Sequence, residues 1–235
     1  MIHNTLSGVI HNAPYKASRL YLKVNDKLSS KPKSFVHTYW ENRYSAGGNS
    51  GVGSYNDFAN FKASVLNEVI SEREIRSVIE FGCGDGNQAS LIDCECYTGY
   101  DLSPTAIAVC RKRFKGNCSR SFHLLSEYNG QTADMTISLD VVYHLVDDDI
   151  FSSHLQTLFG AAKSVVVIYS SNTNENPEKK SVPHVKHRRF TDWVERNIPN
   201  WTLHQVIPNK YPYQGDVRTG SFCDFYIYVS RPKIQ

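Results

Sequence analysis

Residues 77–101, SVIEFGCGDGNQASLIDCECYTGYD, constrain the fold more than any other stretch of the chain. Val78, Ile79 and Phe81 form a short apolar run of the kind a buried parallel strand gives. Gly82, Gly84 and Gly86 follow at alternate positions, and such a turn lets backbone pass close to a ligand. Ala89, Leu91 and Ile92 predict a short helix, and Tyr97–Tyr100 a second strand ending in Asp101. The order is strand, glycine turn, helix, strand, acid. The acid stands 19 residues after Gly82, about where a nucleotide-binding βαβ unit sets a carboxylate on a ribose.

Two cofactor classes suit that order. A dinucleotide site wants G-x-G-x-x-G around a pyrophosphate at a helix N-terminus. Here the spacing is G-x-G-x-G, and Glu80 stands two residues before the first glycine. A carboxylate there is a poor neighbour for a diphosphate but a tolerable one for an ammonium and a sulfonium. The stretch E-F-G-C-G-D-G, followed by Y-D-L-S, resembles the first motif and the following acid of class I S-adenosylmethionine-dependent methyltransferases. A dinucleotide site and a purely structural glycine turn are the alternatives.

The chain has 235 residues, 40% of them apolar, enough for one well-cored domain. Its net charge of +3 is far from the basic stripe of a dedicated nucleic-acid binder. No apolar run is long enough to span a membrane, and the N-terminus lacks the apolar core of a signal peptide, so a cytoplasmic protein is expected. The six cysteines show no paired C-x-x-C spacing. Cys94 and Cys96, read as sharing one face of a strand, are expected to be reduced, semi-buried thiols rather than metal ligands.

Residues 1–34 read as a polar arm or lid, in which Leu20, Tyr21, Leu22 and Val24 allow a short element. Trp40, Arg43 and Tyr44 then lie at helical spacing and precede a loop rich in glycine, expected to order poorly without a ligand. This W-x-x-R-Y pattern with its glycine loop resembles the segment that folds over the cofactor in many class I methyltransferases. The resemblance implies that Arg43 pairs with the methionyl carboxylate and that the aromatics pack on cofactor or acceptor. The alternative is a surface helix anchored by its aromatics. Residues 1–55 are therefore assigned to an arm and lid, and 56–235 to the methyltransferase domain. Phe58, Phe61, Val65, Leu66 and Ile70 mark an amphipathic helix, read as core without chemistry.

Ser103 reads as the N-cap of a helix with Pro104 in its first turn. Third and fourth strands follow at Ser121–Leu125 and Asp134–Leu139. Between them Glu127 is, by the resemblance, a candidate contact for the adenine amino group, or else a solvated loop acid. Asp140–Leu145 follows the fourth strand and so reaches the carboxyl ends of the strands, where open α/β sheets bind ligands. His144 is a candidate general base, because an imidazole takes a proton near neutrality, or a packing residue. Asp147, Asp148 and Asp149 suit the first turn of a helix; a metal site built from them with Asp140 and His144 ranks below capping. A β-branched fifth strand, Lys163–Ser170, leads into about twenty residues of polar loop. Its His184, Lys186, His187, Arg188 and Arg189 suit an acceptor carrying phosphate or another anion, or form a solvated loop; His187 is a second candidate base. A helix from Phe190, with Thr191 as N-cap, and two strands at Trp201–Ile207 and Phe222–Val229 complete the chain.

Alternating strands and helices place the chain in the α/β class. The resemblance, over about residues 36–230, implies a Rossmann-like seven-stranded, mostly parallel sheet with a terminal antiparallel hairpin and helices on both faces. It implies S-adenosylmethionine as cofactor; the pattern YW-x-x-RY-x-x-GG with SGxGSY and then IEFGCGDG further resembles methyltransferases associated with bacterial surface-glycan and sugar pathways, which implies a sugar or glycan hydroxyl as acceptor. Candidate cofactor contacts are Tyr39, Trp40, Arg43, Glu80, Gly82, Cys83, Gly84, Gly86, Asp101, Leu102, Glu127, Leu139 and Asp140. Candidate catalytic groups are His144, His187 and Asp140, and no metal is assigned. N-methylation of an amino sugar or small amine is the rival activity. A catalytically silent, cofactor-binding partner subunit is the rival from another class. Homo-oligomers stay open.

Overall fold

The computed structural model describes residues 35–176 and 182–231. The arm at 1–34, with Leu20, Tyr21, Leu22 and Val24, and residues 177–181 of the polar loop lie outside the described residues. Seven strands run β1 (Ser77–Phe81), β2 (Cys96–Asp101), β3 (Arg120–Leu124), β4 (Ala133–Leu139), β5 (Ala162–Ser170), β6 (Trp201–Ile207) and β7 (Asp224–Ser230). They form one sheet in the order β3-β2-β1-β4-β5-β7-β6. The first five are mutually parallel, and β7 runs antiparallel to both β5 and β6. Rossmann-like order, parallel core and terminal hairpin are as expected. The chain leaves β1 for β2 on one side and returns to β4 on the other, so a crevice opens past the ends of β1 and β4.

Alternation along the strands builds two cores. Val78, Met135, Ile137 and Val167 face α2 (Asn56–Glu72) and α3 (Pro104–Arg113), meeting Val65, Leu66, Ile107 and Cys110. Ile79, Phe81, Val166 and Ile168 face α4 (Asp148–Ala161) and α5 (Phe190–Asn197), meeting Phe151, Leu155, Leu158 and Val194. A helix α1 (Phe35–Ser45) precedes these and lies beside α3. Glu41 of α1 accepts from Ser103 Oγ at 2.5 Å and Thr105 Oγ1 at 2.6 Å. Ser103 caps α3 through the amide of Ala106, and Asp147 caps α4 through the amides of Asp149 and Ile150.

Three local expectations are corrected. Thr191 does not cap α5: the helix starts at Phe190 without a side-chain cap, and the Thr191 hydroxyl bonds Asn172 instead. After the glycine turn comes a single 3₁₀ turn at Gln88–Leu91, since Ile92 is already extended. Cys94 precedes β2, which begins at Cys96, so the two thiols do not share a strand face.

His154 of α4 packs at an angle on the Phe81 ring and pairs with Ser138 Oγ at 2.9 Å. Burial lowers its pKa to about 4. Between that value and the usual 6.5 of a free imidazole, the unfolded chain binds the proton and the folded one does not. His154 therefore lowers stability progressively as pH falls through that window. Urea unfolding from pH 7 to 4.5 should show the protein losing stability relative to a His154→Gln variant as pH falls; parallel curves would contradict the assignment.

Candidate active site

At the ends of β1 and β4 lies a cavity of about 690 Å³ counted to its mouth, bounded by α1, the loop after it, the glycine turn and residues 139–145. Gly82 and Gly84 have φ of 95° and 54°, the left-handed region. A Cβ on Gly82 would strike Val141, and one on Gly84 would strike Ser50 and Tyr44. Backbone here is pressed so closely by its neighbours that only glycine fits.

Asp101 clips the turn to β2: its carboxylate accepts from the amides of Gly84 and Ser103, each at 2.9 Å. Burial raises its pKa, and those amide bonds oppose the rise. Glu80 is buried and accepts from the hydroxyl of Tyr97. Burial pushes Glu80 up to about 7, while the Tyr97 bond and the charge of Lys62 hold it back. Asp85 ties down the glycine-rich loop, accepting from Ser50 N at 2.9 Å and from Tyr55 Oη at 2.7 Å. Asn87 adds a bond from Nδ2 to the carbonyl of Ser54 at 2.7 Å. The loop expected to order poorly is thus strapped to the glycine turn by its own side chains.

Asp140 has φ 58° and receives Lys62 Nζ at 2.6 Å and the Tyr143 hydroxyl at 3.1 Å. Lys62 is only 1% exposed. The helix expected to be pure core therefore carries the one Lys or Arg that lines the cavity among the described residues. A charge at position 62, between Phe58 and Leu66 on the apolar stripe, was the available signal. Four carboxyl groups, from Glu80, Asp85, Asp101 and Asp140, face that single ammonium.

His144 also lines the cavity. Its Nδ1 lies 2.9 Å from the carbonyl of His184, which can only accept, so Nδ1 carries the hydrogen and Nε2 keeps a lone pair. Burial lowers its pKa to about 4, against the bond to His184. The imidazole is boxed by Trp40 at 5.1 Å, His184 at 5.2 Å and Tyr143 at 4.3 Å between ring centroids. Tyr39 stacks on His184 at 4.0 Å, joining α1 to the segment after β5 across the site.

Of the expected contacts, Trp40, Glu80, Gly82, Cys83, Gly84, Asp101, Leu102, Leu139, Asp140 and His144 line this cavity. Others do not. Arg43 sends Nε to the carbonyl of Asn49 at 2.6 Å and lines a separate cleft with Tyr55 and Tyr211. Glu127 spends its carboxylate on the amide of Leu124 at 2.7 Å, 3.6 Å from Arg111. Gly86 packs against Cys110 and Phe114. His187 lies beyond Tyr143, with Nδ1 2.7 Å from Ser171 Oγ. The basic run is internally committed. Lys186 and Arg188 pair with Asp148, each at 2.7 Å, and Arg188 also donates to the carbonyls of Leu145 and Val146. Arg189 lies 3.7 Å from Asp192. Those bonds fasten the segment over the end of β4 in place of an open anion site. Ser50, Lys62, Asp85 and Gln88 are lining residues that the sequence reading missed.

Comparison with known proteins agrees with this geometry. Residues 79–160 match a family described as a methyltransferase domain. No curated protein matches the chain. The N-methyltransferase NodS from Bradyrhizobium japonicum WM9, in complex with S-adenosyl-L-homocysteine, superposes with a TM-score of 0.66 at 16% identity, covering 84% of this chain and 99% of that one. Magnesium protoporphyrin IX methyltransferase (ChlM) from Synechocystis PCC 6803 with bound SAH gives 0.56 at 14%, over 89% and 99%. The methyltransferase domain of bacterial CtHen1-C gives 0.57 at 17%, over 73% and 98%. At such identities the likeness is one of fold. Residues 79–160 thus match a methyltransferase domain, whose cofactor is S-adenosylmethionine, and the sheet around them has the Rossmann-like fold of these structures. The lining fits that group. Glycine backbone gives close approach, carboxyl groups outnumber cations around a cationic ligand, and the buried Oε1 of Gln88 has no partner. Among the described residues no helix is long and apolar enough to cross a membrane, and no cluster of three His, Cys, Asp or Glu suits a metal.

The ion pair of Lys62 and Asp140 yields a direct test. Removing one partner of a fully buried pair strands the other charge and costs about 3–5 kcal/mol. Lys62→Met costs less than that, because Asp140 is 17% exposed and keeps its bond from Tyr143, and replacing both partners is milder still. Urea unfolding should therefore find Lys62→Met less stable than the Lys62→Met/Asp140→Asn double variant. A double variant as unstable as the single would contradict the pairing.

Proposed function

We propose that this chain is an O-methyltransferase for a small polar acceptor, a hydroxyl of a sugar or glycan, with His144 taking the acceptor's proton. The observation that carries the proposal is the fixed tautomer of His144. Its Nδ1–H is held on the carbonyl of His184, and its free Nε2 belongs to a residue of the cavity wall. S-adenosylmethionine supplies a methyl group on a sulfonium, already a good leaving group, so positioning carries much of the rate.

Gly82, Gly84 and Asp101 are the residues placed to receive the nucleoside, and Trp40 to cover it. Helix α1 lines the site through Val36, Trp40 and Tyr44, and a small acceptor suits such a cavity better than a polymer surface does. Among the described residues of the segment 182–189, Lys186, Arg188 and Arg189 are each paired with an acid, which does not favour nucleic acid as the acceptor. The sugar assignment rests on a resemblance: the pattern YW-x-x-RY-x-x-GG with SGxGSY and then IEFGCGDG looks like that of methyltransferases associated with bacterial surface-glycan and sugar pathways.

A pKa near 4 makes His144 a weak base, and a weak base suffices here. An alcohol oxygen that gains a methyl group becomes a strongly acidic oxonium, so its proton moves readily to a neutral imidazole. The neutral form persists down to about pH 4, where an unperturbed histidine would already be charged.

The test is a mass-spectrometric screen of nucleotide sugars, glycans and small amines for methylated product. His144→Gln should then cut kcat by about 10²–10⁴-fold while S-adenosylhomocysteine binding stays the same. The acid limb of kcat in the unaltered protein should fall near pH 4, not 6.5. Equal losses of binding and turnover would make His144 a packing residue. Methylation of amines alone would move the assignment to N-transfer.

A further inference from the structure

We propose that Lys62 and Gln88 form a clamp for the α-amino-acid end of the cofactor, Lys62 taking the carboxylate and Gln88 the ammonium. The inference rests on S-adenosylmethionine as the ligand and assigns to this chain's own residues a role that Arg43 was expected to fill.

An ammonium has three donors. Lys62 gives one to Asp140, and its charge also faces the ring of Tyr169 at 5.2 Å. Its remaining donors have no hydrogen-bond partner among the described residues, although the residue is 1% exposed. Gln88 is 5% exposed and shows the opposite surplus. Its Nε2 donates to the carbonyl of Ala59 at 3.1 Å, and a carbonyl only accepts, so the amide cannot be turned over. Oε1 is therefore fixed, buried and without a partner. Unmade hydrogen bonds of this kind are costly unless a ligand completes them.

The two surpluses open on the same cavity. Ala59, which pins Gln88, and Lys62 are three residues apart on α2 and so share a face. Both Lys62 and Gln88 line the same cavity. A spare donor set and a spare acceptor in one cavity complement a zwitterion, which carries a carboxylate and an ammonium. Among the described residues the other acidic groups of the wall, Glu80, Asp85, Asp101 and Asp140, repel a carboxylate, which leaves Lys62 as its charged partner. Arg43 is turned into the other cleft, with Nε on Asn49.

Calorimetric titration with S-adenosylhomocysteine and its decarboxylated and deaminated analogues tests the clamp. In an Asp140→Asn background, which leaves no stranded carboxylate, adding Lys62→Met should weaken S-adenosylhomocysteine binding about tenfold or more, and binding of the decarboxylated analogue hardly at all. Gln88→Leu removes no charge and keeps the side-chain volume, so it stands if the first variant fails to fold. It should weaken S-adenosylhomocysteine several-fold and leave the deaminated analogue unchanged. Losses equal across all three ligands, or no loss, would overturn the clamp while the cofactor reading stands. Failure of the unaltered protein to bind S-adenosylhomocysteine would overturn both.

Discussion

Lys62 and Asp140 hold opposite charges 2.6 Å apart at the point where helix α2 meets the end of β4. The site depends on this contact. Asp140 adopts a left-handed backbone conformation, which turns the chain out of β4 and sends Tyr143 and His144 back toward the crevice. Tyr143 ties its hydroxyl to the same carboxylate. Lys62, for its part, reaches the crevice because Phe58, Val65, Leu66 and Val69 seat α2 on the sheet. Such a pair adds little net stability, since desolvating two charges offsets much of their attraction. Its consequence is positional: a helix, a strand end and the following turn are held in one geometry.

Around that point the chain arranges charge so that a cation is welcome and bulk water is not. Glu80 and Asp101 are buried carboxyls whose pKa values are pushed up by burial and restrained by hydrogen bonds. A positively charged ligand among them would favour their ionised forms. His144 is treated oppositely, kept neutral by the same burial and oriented by a single carbonyl. One crevice thereby sets carboxyls that favour a cation beside an imidazole held neutral by burial. Trp40 lines the crevice from α1 and meets His144, and Tyr39 stacks on His184 to join α1 to the segment after β5.

Periodicity and punctuation carried most of the fold. Apolar runs at Val78–Phe81 and Val165–Ile168 read as strands because residues buried on both sheet faces leave no other pattern. The glycine spacing and Asp101 placed the crevice because close backbone approach and a strand-end acid are local in sequence. What stayed hidden depends on three-dimensional pairing. Lys62 sits in an apolar stripe, and nothing near it in sequence announces Asp140. Arg43 and Glu127 have the right chemistry for the ligand, yet each meets a nearer backbone partner first. The basic run after β5 suggested an open anion site, but Asp148, about 40 positions earlier, neutralises Lys186 and Arg188. A charge in sequence shows what a residue can bind, and only the fold shows what it already holds.

The central claim is that the crevice between β1 and β4 takes S-adenosylmethionine rather than a dinucleotide. Calorimetric titration of the unaltered protein with S-adenosylmethionine and with NAD tests this most directly. The account predicts saturable, one-to-one binding of S-adenosylmethionine, competed away by S-adenosylhomocysteine, and no heat from NAD. Binding of NAD in preference would contradict it and return the glycine turn to a pyrophosphate.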